Sequence, residues 1–292
     1  MRDNEPAYSV VPYNSWPAMG LANTPLEALH WPLGQPARLK GARVRDLAPT
    51  DHLIAYPNSE LFYLPWFGIR AQVSVMIVEP DAVHAKNLKR AYRARNSFYS
   101  ILTKSADLLE KVDNGIFFYF GSTFIDDIKR IEDRKTRNMS LIASGKRDLE
   151  GHLLRHSMVE FVREGGLDVD VMGRGYKPFE RKEVGLQSYR FSIVIENVRE
   201  KDYFTEKLVD AALCRTVPIY WGCPNIESYF DTSGMIVCET EEELRKYAAR
   251  VGEDDYDSRL KAIEINYAKA VEHARYLERA VLAVKSKVEN AR

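Results

Sequence analysis

Apolar residues come in short runs along this chain, and the runs alternate between two periods. Leu53–Ala55, Val73–Val78, Ser100–Thr103 and Ile116–Phe120 are compact runs dominated by β-branched, aliphatic or aromatic residues, the pattern of buried strands. A short helical pattern through Asp107–Lys111 separates the last two, and the charged stretch Asp126–Arg137 reads as a helical or loop connection. Sheet restarts at Ser140–Ala143. A helical period follows through Leu149–Arg163, then strands at Leu167–Met172 and Tyr189–Ile195, a helix over Thr205–Cys214, and strands at Thr216–Tyr220 and Met235–Val237. Strands separated by helices imply βαβ units and parallel sheet. Apart from Arg190 near its start and Ser192, Tyr189–Ile195 is apolar on both faces, as a central parallel strand should be. Leu260, Ile263, Tyr267, Val271, Ala274, Leu277, Val281 and Val284 recur at three- and four-residue spacing. They predict a final amphipathic helix of about seven turns, with Asp257 or Ser258 as its N-cap.

Nine of the 13 prolines fall within the first 65 residues. Proline fixes φ and removes a donor, so residues 1–40 are expected to be irregular, with Trp16, Trp31 and Trp66 packing this part of the chain onto a core. The pattern then divides into residues 41–135, 136–255 and a terminal helix over 256–292. Lys plus Arg and Asp plus Glu number 42 each, which argues against nucleic-acid binding by bulk charge but leaves room for a local basic pocket. A 45% hydrophobic, 29% charged composition is that of a globular protein. Apolar stretches fall far short of the roughly 18–20 residues of a membrane span, so at most peripheral membrane contact is expected. The N-terminus lacks an apolar signal core, and Cys214, Cys223 and Cys238 are read as reduced thiols of a cytoplasmic protein.

The chemistry concentrates in one stretch. A buried strand delivers Glu196 and Asn197 to its carboxyl end, a short loop follows, and a helix opens near Thr205. Ligands of open α/β sheets sit at such strand ends, and a helix N-terminus offers free N–H groups to a phosphate. Lys207 adds a cation, expected to stand exposed on the first turn, and Glu206 can accept hydrogen bonds from ribose hydroxyls. Together these groups suit a nucleotide sugar.

The segment Tyr189–Gly222 resembles the signature of the family 10 glycosyltransferases, the α1,3/1,4-fucosyltransferases. That signature is a buried strand ending in Glu-Asn, a short loop, Tyr-x-Thr-Glu-Lys, an apolar helix, and a Val/Ile-Pro-Ile/Val strand closing at Gly. The resemblance extends more weakly from Ser140 to Val237 and is absent over residues 1–70. It implies an α/β fold of GT-B type, two Rossmann-like lobes with a cleft between them, the first binding acceptor and the second donor. It implies GDP-fucose as donor, a glycan hydroxyl as acceptor, and inversion by direct displacement.

By the same resemblance, Glu206 and Lys207 contact ribose and diphosphate. Glu196 and Asn197 close the strand beside the donor, and Tyr203 and Thr205 lead into the donor helix. One position departs from the family. Its arginine after a Ser-Asn strand end is not found after Ser144, where His152 is nearest by spacing and Lys146 and Arg155 are the other cations in reach. The departure leaves room for a different nucleotide sugar. The family's base, a glutamate ending an apolar strand of the first lobe, is matched by Glu79; Asp81 and His84, on what reads as the same loop, are its substitutes.

Asp168-Val169-Asp170 has the form of a metal-binding Asp-x-Asp, but its strict alternation with valine reads as one polar strand face. No metal or other cofactor is expected. Gly173-Arg174-Gly175 is a weak candidate for backbone approach to the base, and Gly145-Lys146 lacks the rest of a P-loop. Met139 and Phe117–Phe120 are read as core. The alternative to a transferase is a silent nucleotide-sugar or glycan binder.

Overall fold

The computed structural model describes residues 5–13, 20–58, 61–62, 68–132 and 134–290. Two compact units emerge: Met1–Tyr119 with Leu277–Arg292, and Phe120–Tyr276.

The first unit is built on a parallel sheet of β1 (Tyr8–Val10), β2 (His52–Ala55), β3 (Gln72–Ile77), β4 (Ser100–Thr103) and β5 (Gly115–Phe117), in that spatial order. β3 is central. Strand β1 lies in the stretch expected to be irregular. Pro6 and Pro12 bracket Ala7–Val11 rather than interrupt it, so every strand residue keeps its N–H, and Tyr8 to Val10 pair with His52 to Ile54. Buried Asp51 fastens the segment, accepting from the Ala7 and Ala48 amides and pairing with Arg38. Four short 3-10 turns carry the chain from Leu21 to Asp46. Trp31 packs on this core and donates from its indole to the Leu26 carbonyl at 2.7 Å; Trp16 and Trp66 lie outside the described residues.

Helix α1 (Asp81–Arg93) joins β3 to β4, and α2 (Ala106–Leu109) joins β4 to β5. No period announced α1, because Ala91 is its one fully buried residue and its faces are largely charged. Asp81 and His84 therefore sit on the first turn of a helix, not on a loop. Phe118 is buried as expected, whereas Phe117 stands exposed at the end of β5.

In the second unit the order along the chain is β6 (Arg137–Ile142), α3 (Glu150–Glu164), β7 (Val169–Met172), β8 (Tyr189–Ile195), α4 (Glu206–Leu213), β9 (Val217–Trp221) and β10 (Ile236–Val237). Helices α5 (Glu241–Ala248), α6 (Glu253–Asp257) and α7 (Leu260–Ala274) follow. The sheet order is β10-β9-β8-β6-β7, all parallel. β8 is indeed internal, and its buried Ser192 is matched: the Ser140 hydroxyl donates to Ser192 Oγ at 3.0 Å between neighbouring strands. From β6 the chain runs outward to β7, then returns to the other side of β6 as β8 and runs the opposite way to β9. The sheet thus has a topological switch point between β6 and β8, the place where open α/β sheets bind ligands. Right-handed crossovers put α3 and α4 on opposite faces; α3 packs with α5, and α4 with α7.

The helical C-terminus is not one helix: it is divided at Arg275 into α7, with Arg259 rather than Asp257 or Ser258 at its N-cap position and no side-chain cap there, and α8 (Tyr276–Asn290). From Leu277 on, α8 belongs to the first unit, where Arg279 lies over the rings of Phe118 and Tyr119.

Candidate functional site

The residues after β6 and β8 flank the switch point, and a cavity of about 520 Å³ opens there, lined wholly by second-unit residues. That size suits a small-molecule ligand. Its back wall is fixed by Glu196, which is fully buried at the carboxyl end of β8. Glu196 Oε1 accepts from the Thr205 amide at 2.8 Å and Oε2 from the Thr205 hydroxyl at 2.7 Å. Thr205 is the N-cap of α4, its side chain accepting from the Lys207 amide. One buried carboxylate therefore ties the strand end to the start of the helix. Gly222, just past the end of β9, makes room for it, since a Cβ there would lie 2.6 Å from Glu196 Cγ.

Lys207 is more enclosed than an exposed first-turn cation. Its Nζ donates to Thr205 Oγ1 at 3.0 Å and to Glu206 Oε1 at 3.2 Å, and lies 3.5 Å from Glu196 Oε2, with the side chain only 20% exposed. Burial alone would lower the ammonium's proton affinity, but Glu206 and Glu196 outweigh it and hold the pKa above its usual value. Burial likewise pushes against ionised Glu206, and Lys207 with Lys182 overcomes it, leaving that carboxyl below its usual range. Both groups stay charged, and both line the cavity.

On the other side, α3 meets β8 without an intervening side chain. The Gly151 amide donates to the Asn197 carbonyl at 3.0 Å, and a Cβ on Gly151 would stand 1.7 Å from the Glu196 carbonyl oxygen. Arg155, one turn on and buried, donates to the Asn197 side chain at 2.7 Å and to the Gly151 carbonyl at 3.1 Å. His152 has a different duty from a cation: its Nδ1 accepts from the Leu149 amide at 3.2 Å. Burial first, then the charge of Arg155, holds that imidazole below its usual pKa, so it is neutral at pH 7.

The cavity brings together Ser144, Lys146, His152, Arg155, Asn197, Glu206 and Lys207. Glu196, Thr205 and Tyr203 stand behind them as buried supports. Two cations that the sequence reading did not select, Arg174 and Lys182, also line it, so five cations face the two carboxylates Glu180 and Glu206. Their signal was the density of basic residues after β7, Arg174 to Lys182, beyond the short Gly-x-Gly. That glycine pair is backbone architecture: Gly173 has φ +108° and a Cβ there would lie 2.2 Å from the Ala143 carbonyl oxygen. Asp170 is engaged within its sheet, accepting from the Tyr189 hydroxyl at 2.8 Å and pairing with Arg137. Among the described residues, no three His, Cys, Asp or Glu side chains gather as a metal site. No helix among them is long and apolar enough to cross a membrane.

Glu79 lies in the first unit, half-buried just past the carboxyl end of central β3 and ahead of Pro80, the N-cap of α1. Its charge, after burial, helps raise the Tyr13 hydroxyl's pKa. Nearby, buried Lys104 pairs with Asp81 at 3.1 Å, and burial lowers the His84 pKa.

Comparison with known proteins converges on the same segment. Residues 133–258 match the model of the glycosyltransferase family 10 (fucosyltransferase) C-terminal domain. The α-(1,3)-fucosyltransferase FucT of Helicobacter pylori is 33% identical over 78 residues, 27% of this chain and 16% of that protein. The GDP-fucose protein O-fucosyltransferase 3 of Danio rerio is 31% identical over 97 residues, 32% of this chain and 21% of that protein. The chain thus aligns with no more than about a fifth of these relatives' length. A crystal structure of an α1,3-fucosyltransferase with GDP-fucose superposes with a TM-score of 0.54 at 15% identity, covering 94% of this chain and 90% of that one. A trehalose-phosphate synthase from Burkholderia vietnamiensis gives 0.55 at 10% identity, covering 82% and 72%. At those identities the superpositions speak for the fold. Residues 133–258 therefore resemble the C-terminal domain of glycosyltransferase family 10, and the chain as a whole has the GT-B fold.

Proposed function

We propose that this protein is an inverting glycosyltransferase that moves L-fucose from GDP-fucose to a hydroxyl of a glycan acceptor without a metal ion. The observation that carries the reading is the Glu196–Thr205–Lys207 tie at the switch point, which holds a cation and a helix N-terminus against the cavity. Lys207 binds the diphosphate, aided by Lys146 and Arg155, while Glu206 takes the ribose hydroxyls. Such preorganised positive groups stabilise the departing nucleoside diphosphate where a metal would otherwise act. Two cationic contacts at roughly 1.5–3 kcal/mol each are a substantial share of that stabilisation.

In the displacement, the acceptor oxygen bonds to the anomeric carbon as the carbon–oxygen bond to the diphosphate breaks. Glu79 takes the acceptor's proton, and GDP departs with the bonding pair. The assignment rests on a half-buried carboxylate past the end of the central strand of the first sheet, the form the family's base takes.

Calorimetry with GDP, GDP-fucose and UDP, with a transfer assay in EDTA, tests the donor and the metal. GDP-fucose should bind, and transfer should survive chelation with inverted anomeric configuration in the product. Glu79→Gln should keep donor affinity and lower kcat by about 10²–10⁴. Near-wild-type turnover would remove Glu79 from the reaction, tighter binding of UDP would change the donor, and donor binding with no transfer to any glycan would leave a binding protein.

A further inference from the structure

The cavity has an aromatic wall that the phosphate and ribose contacts do not use. Phe124 is 61% exposed and lines the cavity with its ring open to solvent. Its backbone is firmly held. The Phe124 amide donates to Asp210 Oδ1 at 3.1 Å, the Thr123 hydroxyl donates to the same oxygen at 2.6 Å, and the Ile125 amide donates to Thr123 Oγ1 at 3.0 Å. Asp210 is fully buried on α4, and among the described residues its Oδ2 has no hydrogen-bond partner. Leaving a buried carboxylate oxygen unmatched is costly. What that cost fixes is the turn Thr123–Ile125, where Ile125 is buried and Phe124 points outward.

The placement along α4 matters as much. Glu206 and Asp210 are four residues apart on one helix, so they share a face and stand about one turn apart, roughly 5–6 Å. Lys182 acts electrostatically on both, which agrees with that adjacency. Phosphate groups at Lys207, ribose at Glu206 and the Asp210-held turn thus succeed one another in the order of a nucleotide's own parts.

We infer that Phe124 is the stacking platform for the base of the nucleoside diphosphate, and that Asp210, through Thr123, is the residue that positions it. The inference rests on the donor reading above. Stacking on an aromatic ring accepts any base and contributes about 5- to 150-fold in affinity per base, so it supplies binding strength rather than base selection.

The test is calorimetric titration of wild type, Phe124→Ala, Phe124→Tyr, Thr123→Val and, at the other aromatic ring that lines the cavity, Phe179→Ala, with GDP and, separately, with inorganic pyrophosphate. Phe124→Ala should weaken GDP by about 5- to 150-fold and leave pyrophosphate unchanged, and Phe124→Tyr should restore GDP binding. Thr123→Val should show a smaller loss with the same GDP-only selectivity, which a general loosening of the fold would not produce. Unchanged GDP affinity in Phe124→Ala, equal losses for both ligands, or a GDP-selective loss confined to Phe179→Ala would overturn the inference while the donor reading stands. Wild-type protein that binds neither ligand would overturn both.

Discussion

Lys207 shares its ammonium among Thr205, Glu206 and Glu196 before any donor arrives. A diphosphate therefore meets a cation already aimed and already charged. Lys207→Ala should weaken both GDP and pyrophosphate, and it should also lower thermal stability, because Glu196 would keep only its Thr205 contacts. Glu206→Ala should weaken GDP more than pyrophosphate; equal losses in a binding assay would mean that Glu206 merely shapes the helix. Asp210 adds a pH dependence. Burial raises its pKa to about 7, against Lys182 and the Thr123 and Phe124 hydrogen bonds and with help from Glu206. The native state then holds a proton that the unfolded chain releases near its ordinary 3.8. Its contribution is full below that value and is lost as pH rises towards about 7. Asp210→Asn cannot ionise, so its melting temperature should match wild type at pH 4 and exceed it at pH 8. Parallel melting curves across that range would show that Asp210 does not titrate as described.

At the scale of elements, the site depends on the seam between α3 and β8. Gly151 allows the helix backbone to touch the strand end, and no relaxation of one side chain would admit a methyl group 1.7 Å from a carbonyl oxygen. Gly151→Ala should cost about 3 kcal/mol, roughly 6–12 °C in melting temperature for a unit of this size, and should weaken donor binding by displacing Arg155. Gly145→Ala, with nothing near its added Cβ, is the control and should melt as wild type. The strands were legible because buried parallel strands are written as runs of β-branched residues. Helix α1 was not, since a mostly charged helix with one buried alanine has no apolar stripe to read. Strand β1 was hidden by the prolines on either side of it. The switch point was hidden for another reason: nothing in the order of elements says that β8 returns to the far side of β6.

Across the whole molecule, the candidate site was legible where its residues are contiguous. Glu196 to Lys207 fall within one short stretch and could be read together. Arg174, Lys182 and Phe124 come from two loops, and only folding brings them to one cavity, with Asp210 of α4 holding the Phe124 amide from behind. His152 shows the converse, a residue whose spacing suggested a cation and whose hydrogen bond makes it a cap. The units themselves differ in a way that bears on how the chain is made. Phe120–Tyr276 is continuous, whereas the first unit takes its last helix from beyond it, with Ala280, Val281 and Val284 fully buried. A ribosome that feeds the chain out from its N-terminus therefore releases everything the second unit needs before it releases the residues that close the first. Domains generally fold as units during synthesis, so the part that begins earlier should be the part that finishes later. Until then, the unclosed apolar face of the first unit is the surface that a chaperone would be called on to shield.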